Sequence, residues 1–341
     1  MKVVTFGELL LRLSAPGYNK LFQRNTLEAT FCGGEANVAV SLANFGLDSA
    51  FVTKLPDNDV GYAAARNLRY FGVDISKIIY ASGRMGLYYL EKGASQRPSK
   101  IIYDRADSAI ALAKRSDFDW KQIFTGADWY HWTGINPALD GELPEICEDA
   151  CKTAKKMGVT ISCDLNYRKN LWSPEKAKSV MTKLLPYVDI CVANEEDADK
   201  VLGIKADNTD VDSGKLNKSG YESVARQICD AYGCKKVAIT LRESYSASRN
   251  GWSGMLYDYA TDKTFYSQEY DIQLVDRVGG GDSFTAGLIY GLITGMDDHY
   301  AIEFATAASC LKQTMEGDFN RSSVEDVENL LKSGGNGRVQ R

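Results

Sequence analysis

The chain has 341 residues, 44% hydrophobic and 25% charged, with a formal net charge of -5 and a pI near 5.3, enough apolar content for one large α/β core. No lysine- or arginine-rich block offers a nucleic-acid footprint, and no apolar run reaches membrane-spanning length. Val3 to Phe6 is too short for a signal h-region, so a cytoplasmic protein is expected. Eight cysteines without a C-x-x-C, and only His131 and His299 as histidines, argue against a disulfide framework, a zinc site and Ser-His-Asp chemistry.

In chain order, short β-branched runs at Val3 to Phe6, Phe51 to Thr53, Trp129 to Trp132, Thr160 to Cys163, Ile190 to Val192 and Val237 to Thr240 alternate with helical stretches. Ala36 to Phe45 closes on Gly46, Leu143 to Lys156 closes on Gly158, and Glu175 to Leu185 stops before Pro186. This alternation predicts an α/β fold with a doubly wound, mostly parallel sheet flanked by helices. Segments 8–31 and 84–105 break the rhythm with extra strand-like runs, Gly86 to Leu90 and Lys100 to Tyr103, and are expected to form a small β-sheet lid. We therefore read one domain over 1–331, an exposed polar loop at 205–221 and a flexible tail at 332–341.

Ligands of such sheets sit outside the carboxyl ends of the strands, and the motifs fall there. Gly33-Gly34 with Asn37 opens the first helix, where free amides and a donor-acceptor side chain can meet a polyhydroxylated substrate; a tight turn with close packing explains the same residues. On the predicted lid, Tyr88, Tyr103 and Arg105 could close over a substrate, although strand tyrosines are commonly packing residues. At a strand end, Asp164-Leu165-Asn166-Tyr167-Arg168 gathers polar groups; the planar fork of Arg168 matches a carboxylate, with an ordinary surface pair as the alternative. The next strand ends at Asn194-Glu195-Glu196-Asp197, which suits either waters around a nucleotide-held Mg²⁺ or a plain helix cap.

No Walker A motif and no strand-linked G-x-G-x-x-G occurs. The remaining anion cradle is Gly279-Gly280-Gly281-Asp282, whose unhindered amides and a helix starting at Asp282 or Ser283 suit phosphoryl transfer, with Asp282 placed to take the proton of an attacking hydroxyl. A polar turn closed by a helix cap accounts for this run too.

Taken in order, Gly33-Gly34 with Asn37 and Gly279 to Gly287 resemble the two signatures of the ribokinase-like, or PfkB, carbohydrate kinases, over residues 1 to 331. The resemblance implies a ribokinase-like fold, ATP and Mg²⁺ as cofactors, Asp282 as catalytic base, and Gly279, Gly280 and Gly281 as an anion hole. It places the sugar near Gly33, Gly34, Asn37, Tyr88, Tyr103, Arg105 and Arg168. The nucleotide falls near Asn166, Asn194, Thr240 and Arg242, and Asp197 orders Mg²⁺ waters indirectly. Leu241-Arg242-Glu243-Ser244 departs from the family's glycine-rich nucleotide loop, and Asp197 is shorter than the family's glutamate.

Within the family, Asp164 to Arg168 with Leu171-Trp172, the lid pair Tyr103 and Arg105, and Leu55 to Gly61 are most similar to 2-keto-3-deoxygluconate kinases. The expected activity is therefore transfer of the ATP γ-phosphoryl group to the 6-hydroxyl of 2-dehydro-3-deoxy-D-gluconate, the arginine meeting the sugar acid's carboxylate. The alternatives are a fructose-, other neutral-sugar or nucleoside-directed kinase of the same family, and a non-catalytic sugar-acid binding protein. Expected partners are a sugar acid and ATP, with neither nucleic acid nor membrane, and lid strands could pair copies into a homo-oligomer.

Overall fold

The computed structural model describes residues 1–139, 141–194, 196–205 and 218–335. Its strands are β1 (Lys2–Phe6), β2 (Leu10–Ser14), β3 (Glu28–Cys32), β4 (Asp48–Pro56), β5 (Ile78–Ala81), β6 (Gly86–Glu91), β7 (Lys100–Asp104), β8 (Trp129–Thr133), β9 (Thr160–Asp164), β10 (Ile190–Ala193), β11 (Lys236–Ser246), β12 (Arg249–Asp258), β13 (Lys263–Tyr266) and β14 (Tyr270–Gln273). The large sheet runs β13-β12-β11-β10-β9-β8-β1-β4-β5, with β14 also on β12. From β11 to β5 all neighbours are parallel, and β12 turns back antiparallel along β11. Helices cover both faces, so the central strands are nearly uniform apolar runs.

One face packs Phe6, Tyr130, Trp132, Ile146 and Met181. The other packs Leu42, Trp252, Phe284 and Phe304 beneath the helices Gly34–Asn44, Gly280–Ile293 and Asp298–Gln313. Helix Gly280–Ile293 is apolar around its girth because it is buried on several sides. A Cβ on Gly287 would come 2.7 Å from Ala305 Cα, so only glycine permits this helix contact.

β4 pairs with one side of β1 and β8 with the other, so the strand order reverses at β1, which opens a crevice at the carboxyl ends of β1 and β8. The predicted lid is a separate sheet of order β3-β2-β6-β7. Burial alternates along β2 and β6, whereas β3 and β7 are largely exposed. Leu10, Cys32, Tyr88 and Leu90 form the lid's inner face and pack with Tyr103 and Val278.

Glu195, positions 206–217 of the predicted loop and residues 336–341 of the predicted tail lie outside the described residues. Two boundaries are corrected. Lys218 to Tyr221 begin the helix Lys218–Tyr232, whose apolar stripe buries Tyr221, Val224 and Ile228, so the polar run ends earlier than its composition suggests. Lys332 and Ser333 close the helix Val324–Ser333, capped by Gly334 in the left-handed conformation at φ 60.

Candidate active site

The carboxyl ends of β9 and β10, the lid and the start of helix Gly280–Ile293 enclose a cleft of about 760 Å³. The helix starts at Gly280, two residues before the predicted point, with Gly279 as its cap at φ 82. A side chain at Gly279 would bring its Cβ within 2.1 Å of Asp318 O, so glycine is required twice over. Nothing lies within 4 Å of a Cβ built on Gly281, which faces the cleft. Asp282 stands in the first turn, where the helix dipole favours negative charge.

Asn37 Nδ2 donates to Asp282 Oδ2 at 2.6 Å, and Gly33 N donates to Asn37 Oδ1 at 3.2 Å. A Cβ on Gly33 would strike Glu8 O at 2.1 Å, whereas one on Gly34 would sit 3.6 Å from Asp282 Oδ1. The first glycine thus permits packing, and the second leaves room before the carboxylate. Burial pushes the Asp282 carboxyl up to about 6, the Asn37 bond and the positive charges of Arg168 and Lys312 pull it down, and Asp318 pushes it up. A carboxyl that titrates there is able to exchange a proton near neutral pH.

Arg168 lines the same cleft. Its Nη1 donates to Tyr167 O at 2.9 Å, and no ion pair joins it to a described residue. Asp164, at the end of β9, is held well above the ordinary carboxylate range by burial first, then by Asp197 and Asp282. Sequence reasoning quoted Asp164 without giving it a role. Its signal was its place at a strand end one strand from Asn194 and Asp197.

Asn194 caps the turn at Glu196 and Asp197. Asn194 Oδ1 accepts from Glu196 N at 2.8 Å and Asp197 N at 3.1 Å, while Asp197 accepts from Tyr167 N at 3.0 Å and Asn194 N at 3.3 Å. The cap nonetheless keeps Asn194 in the cleft wall and Asp197 close enough to act on Asp164. Asn166 adopts φ 41, and its buried Oδ1 has no hydrogen-bond partner. Thr240 lines the cleft and, with Arg242, Asn194 and Gly281, an adjoining pocket of about 130 Å³.

The predicted lid residues divide. Tyr103 is half-buried in the cleft wall. Arg105 also borders the cleft, but its guanidinium is tied to Glu8 through Nε at 2.7 Å and through Nη2, while Ser108 Oγ donates to the other Glu8 oxygen at 2.6 Å. Tyr88 turns inward and donates to Asp318 Oδ2 at 2.8 Å. Glu8 was not singled out from the sequence, though an acid directly after the first strand and a glycine was a legible sign. Glu35 was missed as well: buried on the glycine-opened helix, it accepts from Thr133 N at 3.0 Å and Thr133 Oγ1 at 2.7 Å.

Open amides, a near-neutral carboxylate and a cleft-lining guanidinium can hold an anion, take a hydroxyl proton and orient an acidic substrate. Among the described residues, no three His, Cys, Asp or Glu side chains cluster as a metal cage, and no helix is long and apolar enough to cross a membrane. The comparisons agree with this chemistry. A model of the pfkB family carbohydrate kinases matches residues 1–323. The chain is 32% identical to a 2-dehydro-3-deoxygalactonokinase of Haloferax volcanii, covering 98% of this chain and 97% of that one. It is 27% identical to a 2-dehydro-3-deoxygluconokinase of Bacillus subtilis, covering 94% and 92%. The crystal structure of a 2-dehydro-3-deoxygluconokinase from Thermotoga maritima superposes with a TM-score of 0.93 at 52% identity, covering 97% and 99%. With its ribokinase-like sheet, its separate lid and its two glycine motifs joined through Asn37 and Asp282, the chain belongs to the pfkB family of carbohydrate kinases.

Proposed function

We propose that this enzyme transfers the γ-phosphoryl group of ATP to the 6-hydroxyl of 2-dehydro-3-deoxy-D-gluconate, in a cytoplasmic setting. The observation that carries the reading is Asp282, held by Asn37 beside unhindered glycine amides in a cleft that also contains Arg168. The names of the Bacillus and Thermotoga relatives support the substrate.

Asp282 accepts the hydroxyl proton as the oxygen attacks the terminal phosphorus and the bond to the ADP oxygen breaks, and the amides of Gly279 and Gly281 meet the charge that develops on the phosphoryl oxygens. Gly280, predicted to join them, is buried and donates its N–H to Arg277 O at 3.3 Å. Arg168 receives the substrate's carboxylate. Asn37, Gly33, Gly34 and Tyr103 shape the sugar side, while Asn166, Asn194, Thr240 and Arg242 face the nucleotide. Tyr88 and Arg105 act on the sugar side by holding the lid in place. Mg²⁺ fits the mutually repelling carboxylates Asp164 and Asp197 beside Asn194. When bound, it supplies charge neutralisation on the phosphates, held there mainly by the nucleotide and water.

The test is ATP turnover with 2-dehydro-3-deoxygluconate, its galactonate epimer, gluconate, fructose and ribose. Selective turnover of the gluconate-derived keto acid supports the proposal, and preference for a neutral sugar overturns it. The Haloferax relative's name makes the galactonate epimer the second substrate to measure.

A further inference from the structure

Lys312 is the most deeply buried cation among the described residues, with no exposed surface at the end of helix Asp298–Gln313. Burial lowers its pKa, and the nearby carboxylates Asp276 and Asp318 oppose that fall. Burying an ammonium is costly unless it is paired and hydrogen-bonded. Its partners are main-chain oxygens. Nζ donates to Asp276 O at 2.9 Å and to Val278 O. Both carbonyls belong to the short loop that delivers Gly279.

Arg12, reaching in from lid strand β2, pairs with Asp276 at 2.5 Å and with Asp318. Asp276 Oδ1 accepts from Val278 N at 3.2 Å, and Gln313 O accepts from Val275 N at 3.0 Å and Asp276 N at 3.3 Å. The loop is thus fixed from several directions. In a trans peptide the C=O and the following N–H point in opposite directions. Drawing the Val278 carbonyl toward Lys312 therefore turns the Gly279 N–H the other way, and that N–H has no acceptor among the described residues.

We propose that Lys312 is a positioning residue, a cation built into the chain that aims the Gly279 amide at the transferring phosphoryl group. The inference rests on the reading of Gly279 to Asp282 as the phosphoryl-transfer cradle. Two carbonyls flanked by two carboxylates form an oxygen-rich shell, and the ammonium fills it internally. A freely diffusing cation of similar size should then be unnecessary in the native enzyme and useful once the ammonium is gone.

The experiment compares wild type with Lys312→Met, which keeps an unbranched apolar stem, in buffers containing ammonium, potassium or tetramethylammonium chloride at equal ionic strength. Losing aim at one oxyanion-type donor predicts a fall in kcat on the order of tenfold to a hundredfold with little change in sugar KM. Ammonium or potassium should restore part of that kcat, and tetramethylammonium, too bulky for the shell, should not. Wild type should turn over equally in all three salts. A Lys312→Met kcat within about twofold of wild type, or a kcat loss that neither small cation relieves, overturns the proposal. So does a wild-type enzyme that requires potassium or ammonium, an arm that needs no folded variant. Variant and wild type are compared on whichever sugar is turned over, so a wrong substrate leaves the result intact. A wrong cradle would show instead as full activity in Asp282→Asn.

Discussion

Asn37 Nδ2 lies 2.6 Å from Asp282 Oδ2, a single hydrogen bond joining two glycine motifs 245 residues apart. It stabilises the ionised carboxylate against the burial that pushes its pKa to about 6.

The first prediction is a pH profile. An essential base that must be ionised makes kcat/KM fall about tenfold for each pH unit below about 6 and level off above it. In Asn37→Ala the stabilising donor is lost, so the acidic limb should move to higher pH. Initial rates from pH 5 to 8 check both points. A flat profile, or a limb unmoved in Asn37→Ala, removes Asp282 from the base role.

For Arg168, a charge-assisted hydrogen bond of roughly 1.5 to 3 kcal/mol corresponds to about ten- to a hundredfold in kcat/KM for an acidic substrate. Arg168→Ala should show that loss with a sugar acid and a much smaller one with a neutral ketose. Equal losses on both would assign the arginine to structure.

The glycine pair separates fold from function. Gly33→Ala forces a Cβ to 2.1 Å from a main-chain oxygen, so it should lower Tm markedly. Gly34→Ala, whose Cβ meets only ordinary contacts at 3.6 and 3.8 Å, should fold with near-normal Tm yet raise the sugar KM by filling space in front of Asp282. Thermal melts alongside kinetics distinguish the two.

Glu35 supplies a stability test. Burial raises its pKa from 4.5 to about 7. The native state then holds this proton more tightly than the unfolded chain, so the contribution is complete below pH 4.5 and is lost as pH climbs to 7. Glu35→Gln keeps an acceptor for Thr133 and does not titrate. Its Tm relative to wild type should rise between pH 5 and 8, by a free energy on the order of 3 kcal/mol. A difference independent of pH would mean that Glu35 stays ionised when buried.

The parallel strands and the glycine cradle were legible because their signals are local: apolar runs, a glycine cluster, an acid at a helix start. The antiparallel edge was not. β12 is buried on both faces through Asn250 to Asp258, so it has no alternation, and Gly251 and Gly254 within it read as turn residues. Gly254 is there because Phe284 Cε2 would stand 2.7 Å from its Cβ, a constraint set 30 residues later. Lys312 and Arg12 look like surface cations in sequence, since their partners are distant in the chain. Tyr88 and Arg105 read as lid residues in sequence, but only the folded chain shows Asp318 and Glu8 already engaging them.

The pairing of Arg12 with Asp318 spans 306 residues and that with Asp276 spans 264, which sets how late the lid's buried cation can be neutralised. A chain emerging from the ribosome completes β2 almost at once, yet the carboxylates that neutralise Arg12 arrive only after nearly the whole domain has been made. Such a long closure is intrinsically slow. A chain truncated before Asp318 would leave Arg12 with Asp276 alone as counter-charge, and one truncated before Asp276 would leave it with neither. The lid is in this sense held by carboxylates that are made long after its own first strand.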